Sequence, residues 1–233
     1  MDNTISTYWK SANNYMQKYD TLTEDNAKEY LSQFKNVSTY NNHLKPLIHL
    51  ARMHGTNISI KMKRFHTERL ITAPSYESVK HLIEGIQDDT VRAYLAVCAT
   101  TGIRVERIFN LDWKDIDAEN GFILKKIEHI RTKNYRPNPI HRDVRILLGK
   151  IPETEGRIFS VDPKTIRHQI RKVDEKITAT MLRDFFYNQA LTCGMNPVIV
   201  EWLMGHDIGI AKHYLADSIK QEYAKFEQTF RLR

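Results

Sequence analysis

The chain has 233 residues, 41% of them hydrophobic, which is enough to bury the core of one or two globular domains. No apolar run approaches the roughly 20 residues of a membrane-spanning helix, and the N-terminus MDNTISTYWK is polar, so a cytoplasmic protein is expected. The net charge of +7 and the pI near 9.3 favour a polyanionic partner, and two cysteines without metal-type spacing, Cys98 and Cys193, predict free thiols rather than a disulfide or a zinc site.

The first part of the chain has the spacing of a small helical bundle. Apolar residues recur with the helical period in three stretches: 5–19, 22–34 and 40–51. Thr23 is placed to cap the second helix, because its side-chain oxygen can accept a backbone N–H, and Gly55 marks the end of the third. We therefore predict a helical domain in residues 1–55.

Residues 56–74 interrupt this pattern. They show no sustained period, and they contain a single acid, Glu68. Four cations lie in the same stretch: Lys61, Lys63, Arg64 and Arg69. This composition predicts a basic linker that ends at Pro74.

Helical spacing resumes in residues 75–233, with one interruption. The pair Asn120-Gly121 predicts a two-residue hairpin turn, and a longer turn around KNYRPNP leads to the apolar run VRILL. A three-stranded antiparallel patch fits this pattern. The predicted fold class is mainly α with a small antiparallel β-sheet, in two domains.

The predicted sheet carries a local excess of positive charge. From Phe122 to Arg145 there are 7 basic residues and 2 acidic ones, with Tyr135 and Asn138 among the cations at the tip. This favours a nucleic-acid contact, although a solvated hairpin would have the same composition.

Two arginines lie where a guanidinium can meet an anion. Gly102 ends one helix and Arg104 opens the next, near a helix N-terminus that attracts phosphate, although an exposed arginine at a helix end would look the same. Arg183 lies between apolar neighbours that predict partial burial. Asp184 points about 100° away on the helix, so another carboxylate or a ligand phosphate is expected to pair with Arg183.

Two segments resemble motifs of the tyrosine recombinases, the phage-integrase family. ATTGIRVERIFNLDWKDID is similar to the first motif, and MLRDFFYNQALTCGMNPVIVEWLMGHDIGIAKHYL is similar to the second. The resemblance rests on the order and spacing of Arg104, Arg183, Gly205-His206 and Tyr214. The helical bundle resembles the core-binding domain that precedes the catalytic domain in these enzymes. The ending is most similar to integrases of archaeal viruses and plasmids.

The resemblance implies an enzyme that cuts and rejoins duplex DNA through a 3′-phosphotyrosyl intermediate, with no metal or other cofactor. Tyr214 would be the nucleophile, Arg104 and Arg183 would bind nonbridging phosphate oxygens, and His206 would donate a further hydrogen bond. Lys133 is the best match to the lysine that protonates the leaving 5′-oxygen, although a solvated cation is the other interpretation. The expected DNA contacts are Lys61, Lys63, Arg64, Lys125, Lys126, Arg131 and Arg136.

The sequence departs from the family pattern at two places. Thr180 stands where the family usually has a histidine that accepts a proton, and His206 and Tyr214 are separated by eight positions instead of nine. Tyr187 and Tyr223 are competing phenols: we expect Tyr187 to pack in an aromatic cluster and Tyr223 to dock on this or a neighbouring protomer.

The partners implied are DNA attachment sites, a tetramer of this chain on DNA and accessory DNA-bending proteins, without a membrane. Three alternatives stay open. They are a DNA-binding relative that does not cleave, a DNA-relaxing activity of the type IB topoisomerase kind, and an RNA-binding helical adaptor.

Overall fold

The computed structural model describes residues 3–64, 72–124, 137–152, 155–209 and 218–232. The chain divides into two compact units, Met1–Leu70 and Ile71–Arg233, each with its own hydrophobic core. Within the described residues, every helix is too short or too polar to cross a membrane. Both cysteines are free thiols, as predicted, with Cys98 buried and Cys193 half-buried.

The first unit contains the three predicted helices. They are α1 (Asn3–Met16), α2 (Glu24–Ser32) and α3 (Val37–Met53). The Thr23 hydroxyl caps α2 by accepting the Asn26 N–H at 3.2 Å, and Tyr15, Leu31 and Leu44 lie in the core. Helix α1 also exposes apolar side chains that follow the helical period: Ile5, Trp9 and Met16.

The segment after α3 packs on the first unit as far as Arg64. Ile58 is buried in the core of this unit. The backbone N–H and C=O of Lys63 both bond to the Asn41 side chain at 2.9 Å, and the Ser59 N–H donates to Glu24 at 3.1 Å. This part of the predicted linker is therefore attached to the helices before it.

The second unit is built around a buried helix, α5. Its helices are α4 (Tyr76–Gly85), α5 (Asp89–Thr101), α6 (Val105–Phe109), α7 (Arg142–Leu148), α8 (Pro163–Val173), α9 (Ala179–Thr192), α10 (Pro197–Leu203) and α11 (Ile219–Thr229). Every residue of 93–101 is buried, because α7 and α9 pack on α5. The end of α5 is therefore held in a fixed position by its neighbours.

The predicted three-stranded antiparallel sheet is present among the described residues. It consists of β1 (Ile116–Asp117), β2 (Phe122–Ile123) and β3 (Asn138–Pro139), in that order. The register pairs Ile116 with Ile123 and Ile123 with Asn138. The predicted two-residue turn is wrong: four residues, 118–121, connect β1 to β2, because the Asp117 carboxylate accepts the Asn120 N–H at 2.9 Å and widens the turn.

The prediction that VRILL is a strand is also wrong, since these residues belong to α7. The His141 ring nitrogen Nδ1 accepts the Asp143 N–H at 3.2 Å and caps the helix. Val144, Leu147 and Leu148 are buried at helical spacing. A short apolar run does not distinguish a strand from a buried helix.

Helix α11 and the residues after it close the core of the second unit. Phe226 and Phe230 are fully buried, and Leu232 is 6% exposed. The backbone after α11 is bonded at three points: the Tyr76 hydroxyl donates to the Arg231 carbonyl (3.1 Å), His141 Nε2 to the Phe230 carbonyl (3.1 Å), and the Leu232 N–H to Asp143 (2.9 Å). These bonds join α11 to α4 and α7.

Candidate active site

Helices α5 and α6 meet at a turn that requires glycine. Gly102 ends α5 with a φ of 65°, and a Cβ on it would lie 2.6 Å from the Phe186 ring and 2.9 Å from the Met204 sulfur. Arg104 is half-buried and occupies the N-cap position of α6. The predicted position of Arg104, at the beginning of a helix, is confirmed.

Arg183 holds the ends of two helices together. It lies on α9 and is half-buried, as predicted. Its Nη1 donates to the Gly102 carbonyl after α5, and its Nη2 donates to the Met204 carbonyl after α10 at 2.6 Å. We expected a carboxylate or a ligand phosphate to pair with Arg183, and this is wrong for the two bonds described. Carbonyls at a helix end have no acceptor role within the helix, and here two of them accept from the guanidinium.

Asn138 forms a second bridge between the same two helix ends. It lies on β3, is 3% exposed, and its Nδ2 donates to the Thr101 and Leu203 carbonyls at 3.0 Å each. The Tyr223 hydroxyl donates to the neighbouring Thr100 carbonyl at 2.6 Å. The prediction that Asn138 lies at the tip of a nucleic-acid-binding hairpin is wrong, because its side chain is buried and bonds to carbonyls 37 and 65 residues away along the chain.

Positive charge is concentrated around Arg183. Burial lowers the pKa of the Arg183 guanidinium to about 10, and the charges of Arg104 and Arg107 act in the same direction. Asp184 and Glu201 oppose this effect. Arg183 therefore remains protonated at neutral pH beside other cations, and a phosphate bound here would relieve their mutual repulsion.

His206 follows directly from the end of α10. The Gly205 N–H bonds to the Trp202 carbonyl at 2.9 Å, and the His206 N–H bonds to the Glu201 carbonyl at 3.0 Å, which together form a Schellman motif. Gly205 has the positive φ, 81°, that this motif requires. Gly205 therefore ends the helix and places His206 immediately after it, as predicted.

The His206 side chain is paired with a carboxylate on the same helix end. Its Nδ1 contacts Oε2 of Glu201, and the Tyr187 hydroxyl hydrogen-bonds the same carboxylate. The hydrogen bond from His206 lowers the pKa of Glu201, and the bond from Tyr187 acts in the same direction. Glu201 was not among the predicted site residues, although its position five residues before the histidine is visible in the sequence.

Thr180 lies one helical turn before Arg183 and is exposed. It lines a cavity of about 540 Å³ with an apolar floor that includes Tyr94, Phe109 and Ile170. A threonine hydroxyl is not a base at neutral pH, so this position supplies no proton acceptor.

Several predicted residues lie outside the described part of the chain. They are Tyr214, Lys133, Lys125, Lys126, Arg131 and Arg136. The competing phenols are described, and both make structural hydrogen bonds. Tyr223 is buried in its own chain, where burial raises its pKa far above the usual range, and the Tyr187 hydroxyl binds Glu201. The nucleophilic role of Tyr214 stays a prediction.

One basic surface was not predicted from the sequence. Helix α8 exposes five basic side chains and contains no acid: Lys164, Arg167, His168, Arg171 and Lys172. Ile166 and Ile170 are the buried residues of α8, so the basic residues lie on the other faces of the helix. The amphipathic pattern of this segment and its lack of acidic residues could have predicted a basic surface from the sequence.

Comparisons with known proteins agree with this geometry. Residues 60–221, more than half of the chain, match the phage integrase family. Tyrosine recombinase XerA of Pyrococcus furiosus is 30% identical over 148 residues, which cover 56% of this chain and 51% of that protein. The chain therefore spans about half the length of this relative.

Two solved structures share the fold at low sequence identity. A lambda integrase dimer bound to a COC′ core site has a TM-score of 0.65 and 14% identity, over 89% of each chain. A variant of the Tn1549 transposon integrase in complex with transposon right end DNA has a TM-score of 0.63 and 18% identity, over 97% of this chain and 94% of that one. This protein belongs to the phage integrase family.

Proposed function

We propose that the protein is a site-specific recombinase, an integrase, that cuts and rejoins duplex DNA through a 3′-phosphotyrosyl intermediate. The observation that carries the proposal is the convergence of Arg104, Arg183 and His206 at the ends of α5 and α10 in a chain of this family. Guanidinium groups suit the nonbridging oxygens of a phosphodiester, which they can bind through paired N–H donors.

The proposed chemistry is one displacement at phosphorus and its reversal. The Tyr214 oxygen attacks phosphorus, the bond to the 5′-oxygen breaks, and Lys133 gives that oxygen a proton. Because a phenol with a pKa near 10 is only about 0.1% ionised at pH 7, a shortfall of roughly 4 kcal/mol, the positive site must favour the charged transition state. Arg104, Arg183 and His206 would supply that stabilisation.

The phenol proton needs an acceptor other than Thr180. Water or another side chain would take this proton. The same threonine is the observation that favours the second candidate function, a DNA-binding relative that does not cleave.

Two described surfaces support DNA binding. In the second unit, the basic side of α8 suits the phosphate backbone. In the first unit, a polar groove of about 530 Å³ between α1 and α3 is lined by Lys10, Asn14, Asn42 and other polar residues, with no acid among the described lining residues. Asparagine side chains can pair with adenine edges, so this groove is suited to reading bases.

The cations after α3, which are exposed, and the cations of the predicted hairpin, which lie outside the described residues, would add phosphate contacts. They are Lys61, Lys63, Arg64, Lys125, Lys126, Arg131 and Arg136. The ammonium group of Lys63 lies 4.0 Å from the centre of the Tyr40 ring, which orients its side chain. We further propose that the protein acts in the cytoplasm or nucleoid of a host cell as a tetramer on attachment sites, with accessory DNA-bending proteins.

The test is covalent capture. The full chain is incubated with nicked duplexes from the neighbouring genomic DNA, and the adduct is mapped by peptide mass spectrometry. We expect an adduct at Tyr214, none for Tyr214→Phe with DNA binding retained, and an adduct for Tyr187→Phe. Failure to form any adduct despite binding would support the cleavage-deficient relative, and relaxation of supercoils without recombinants would support the topoisomerase-like activity.

A further inference from the structure

Glu201 is positioned to decide which nitrogen of the His206 ring faces a ligand. The Schellman motif at the end of α10 brings the backbones of the two residues together, with the His206 N–H on the Glu201 carbonyl at 3.0 Å. Their side chains are also in contact, through Nδ1 and Oε2. The pair is therefore fixed both by the helix end and by a side-chain hydrogen bond.

The protonation of the carboxylate determines the direction of this bond. The hydrogen bond from His206 lowers the pKa of Glu201, burial opposes this, and Tyr187 and Arg183 add to the lowering. Glu201 is thus ionised at neutral pH. An ionised carboxylate can only accept hydrogen bonds, so Nδ1 of His206 must carry the proton between them.

We propose that Glu201 is a positioning residue: it accepts the hydrogen bond from Nδ1–H of His206, so that Nε2 is the ring nitrogen that contacts a DNA phosphate oxygen. This inference rests on the proposed function, because it assigns a task to His206 within that site. A phosphate oxygen only accepts, so His206 must be an imidazolium when it donates from Nε2, and Glu201 balances its charge. Among the described residues, the other charged or titratable groups at this carboxylate are Tyr187 and Arg183.

The first test needs no DNA. The full-length protein is labelled with ¹⁵N-histidine, and the ring nitrogen shifts of His206, assigned with a His206→Gln variant, are measured at a pH where imidazole is neutral. We expect the Nδ1–H tautomer in the wild type, in Tyr187→Phe and in Glu201→Gln, whose amide oxygen can still accept. Glu201→Ala should revert to the Nε2–H tautomer that water favours. An Nε2–H ring in the wild type, or an unchanged tautomer in a folded Glu201→Ala protein, overturns the proposal.

The second test measures adduct formation on the nicked duplex. Glu201→Ala and His206→Ala should slow it by a similar factor, on the order of tenfold to a hundredfold, and the double variant should be no slower than either. The control is Glu84→Ala, a remote carboxylate paired with Lys80 at 3.7 Å, which should keep the wild-type rate. A wild-type rate in Glu201→Ala beside a slow His206→Ala overturns the positioning role. If the wild type forms no adduct, the proposed function fails and the tautomer measurement alone decides the role of Glu201.

Discussion

Arg183 has two tasks at once. A guanidinium has five N–H donors, and Nη1 and Nη2 each give one to a carbonyl at a helix end. The remaining donors are the ones that a phosphate would meet. The residue that binds the substrate would therefore also hold α5 and α10 together.

This dual role separates the two arginines experimentally. Arg183→Ala should lower the rate of adduct formation by several orders of magnitude. It should also lower the free energy of unfolding by about 2 to 4 kcal/mol, because the Gly102 and Met204 carbonyls lose their donors. Arg104→Ala should abolish adduct formation equally, with a smaller loss of stability. Urea denaturation and adduct kinetics measure the two effects.

Thr180→Ala is the matched control on α9. It should slow adduct formation less than tenfold, because the hydroxyl faces no charge that grows in the transition state. A loss as large as that of the arginine variants would instead make the hydroxyl, or a water that it holds, essential.

The positions of Arg104, Arg183 and His206 were predictable because local signals, namely helix ends marked by glycine and apolar neighbours, determine them. Asn138 was not predictable, because its two acceptors are brought to it by the tertiary fold. Glu201 was predictable in part. The segment EWLMGH contains the glycine that ends the helix, and a Schellman motif at this glycine brings the backbone of Glu201 to that of His206.

At the scale of elements, the sequence predicted helices more reliably than the sheet. The cap at Thr23 was identified, since capping depends on neighbouring residues. The described strands have two residues each, which is too short to show an alternating pattern, so their pairing depends on the surrounding fold. The run VRILL became a helix because its burial against α5 suits the helical spacing of Val144 and Leu148.

The glycine that ends α5 offers a test of how closely the elements pack. Gly102→Ala introduces both a strained φ and a Cβ within 2.6 Å of the Phe186 ring, whereas Gly194→Ala, after α9, has a φ of 78° and no neighbour within 4 Å. We expect Gly194→Ala to lower the free energy of unfolding by about 1 to 2 kcal/mol, and Gly102→Ala to lower it by a further 1 to 3 kcal/mol. Equal losses in urea denaturation would mean that Phe186 and Met204 move aside freely.

At the scale of the whole molecule, the chain has two units with separate cores, and each presents a surface suited to DNA. The predicted domains, residues 1–55 and 75–233 joined by a basic linker, stay a prediction about independent folding. Two weak surfaces on one chain bind far more tightly than either alone, because the second contact becomes intramolecular.

The affinity of the whole chain for duplex DNA should therefore fall steeply with salt and depend on both units. A fragment from Ser75 onward should bind about a hundredfold or more weakly than the full chain, with a shallower dependence of log affinity on log salt. Fluorescence anisotropy at several salt concentrations measures both quantities, after circular dichroism has shown that the fragment is folded. Unchanged affinity in a folded fragment would contradict a contribution from the first unit.

The closure of the second core by α11 has a consequence for synthesis on the ribosome. Tyr76 bonds to Arg231, 155 residues later, and Tyr223 bonds to Thr100 across 123 residues. Among the described residues, the buried core of the first unit, by contrast, lies between Tyr15 and Ile58. A nascent chain therefore carries a completed N-terminal unit while Phe185 and Phe186 still lack their cover from α11. The ends of α5 and α10, which Arg183 joins, gain their final support only when α11 has left the exit tunnel, so the first unit of an unfinished chain is complete before the proposed site in the second unit is.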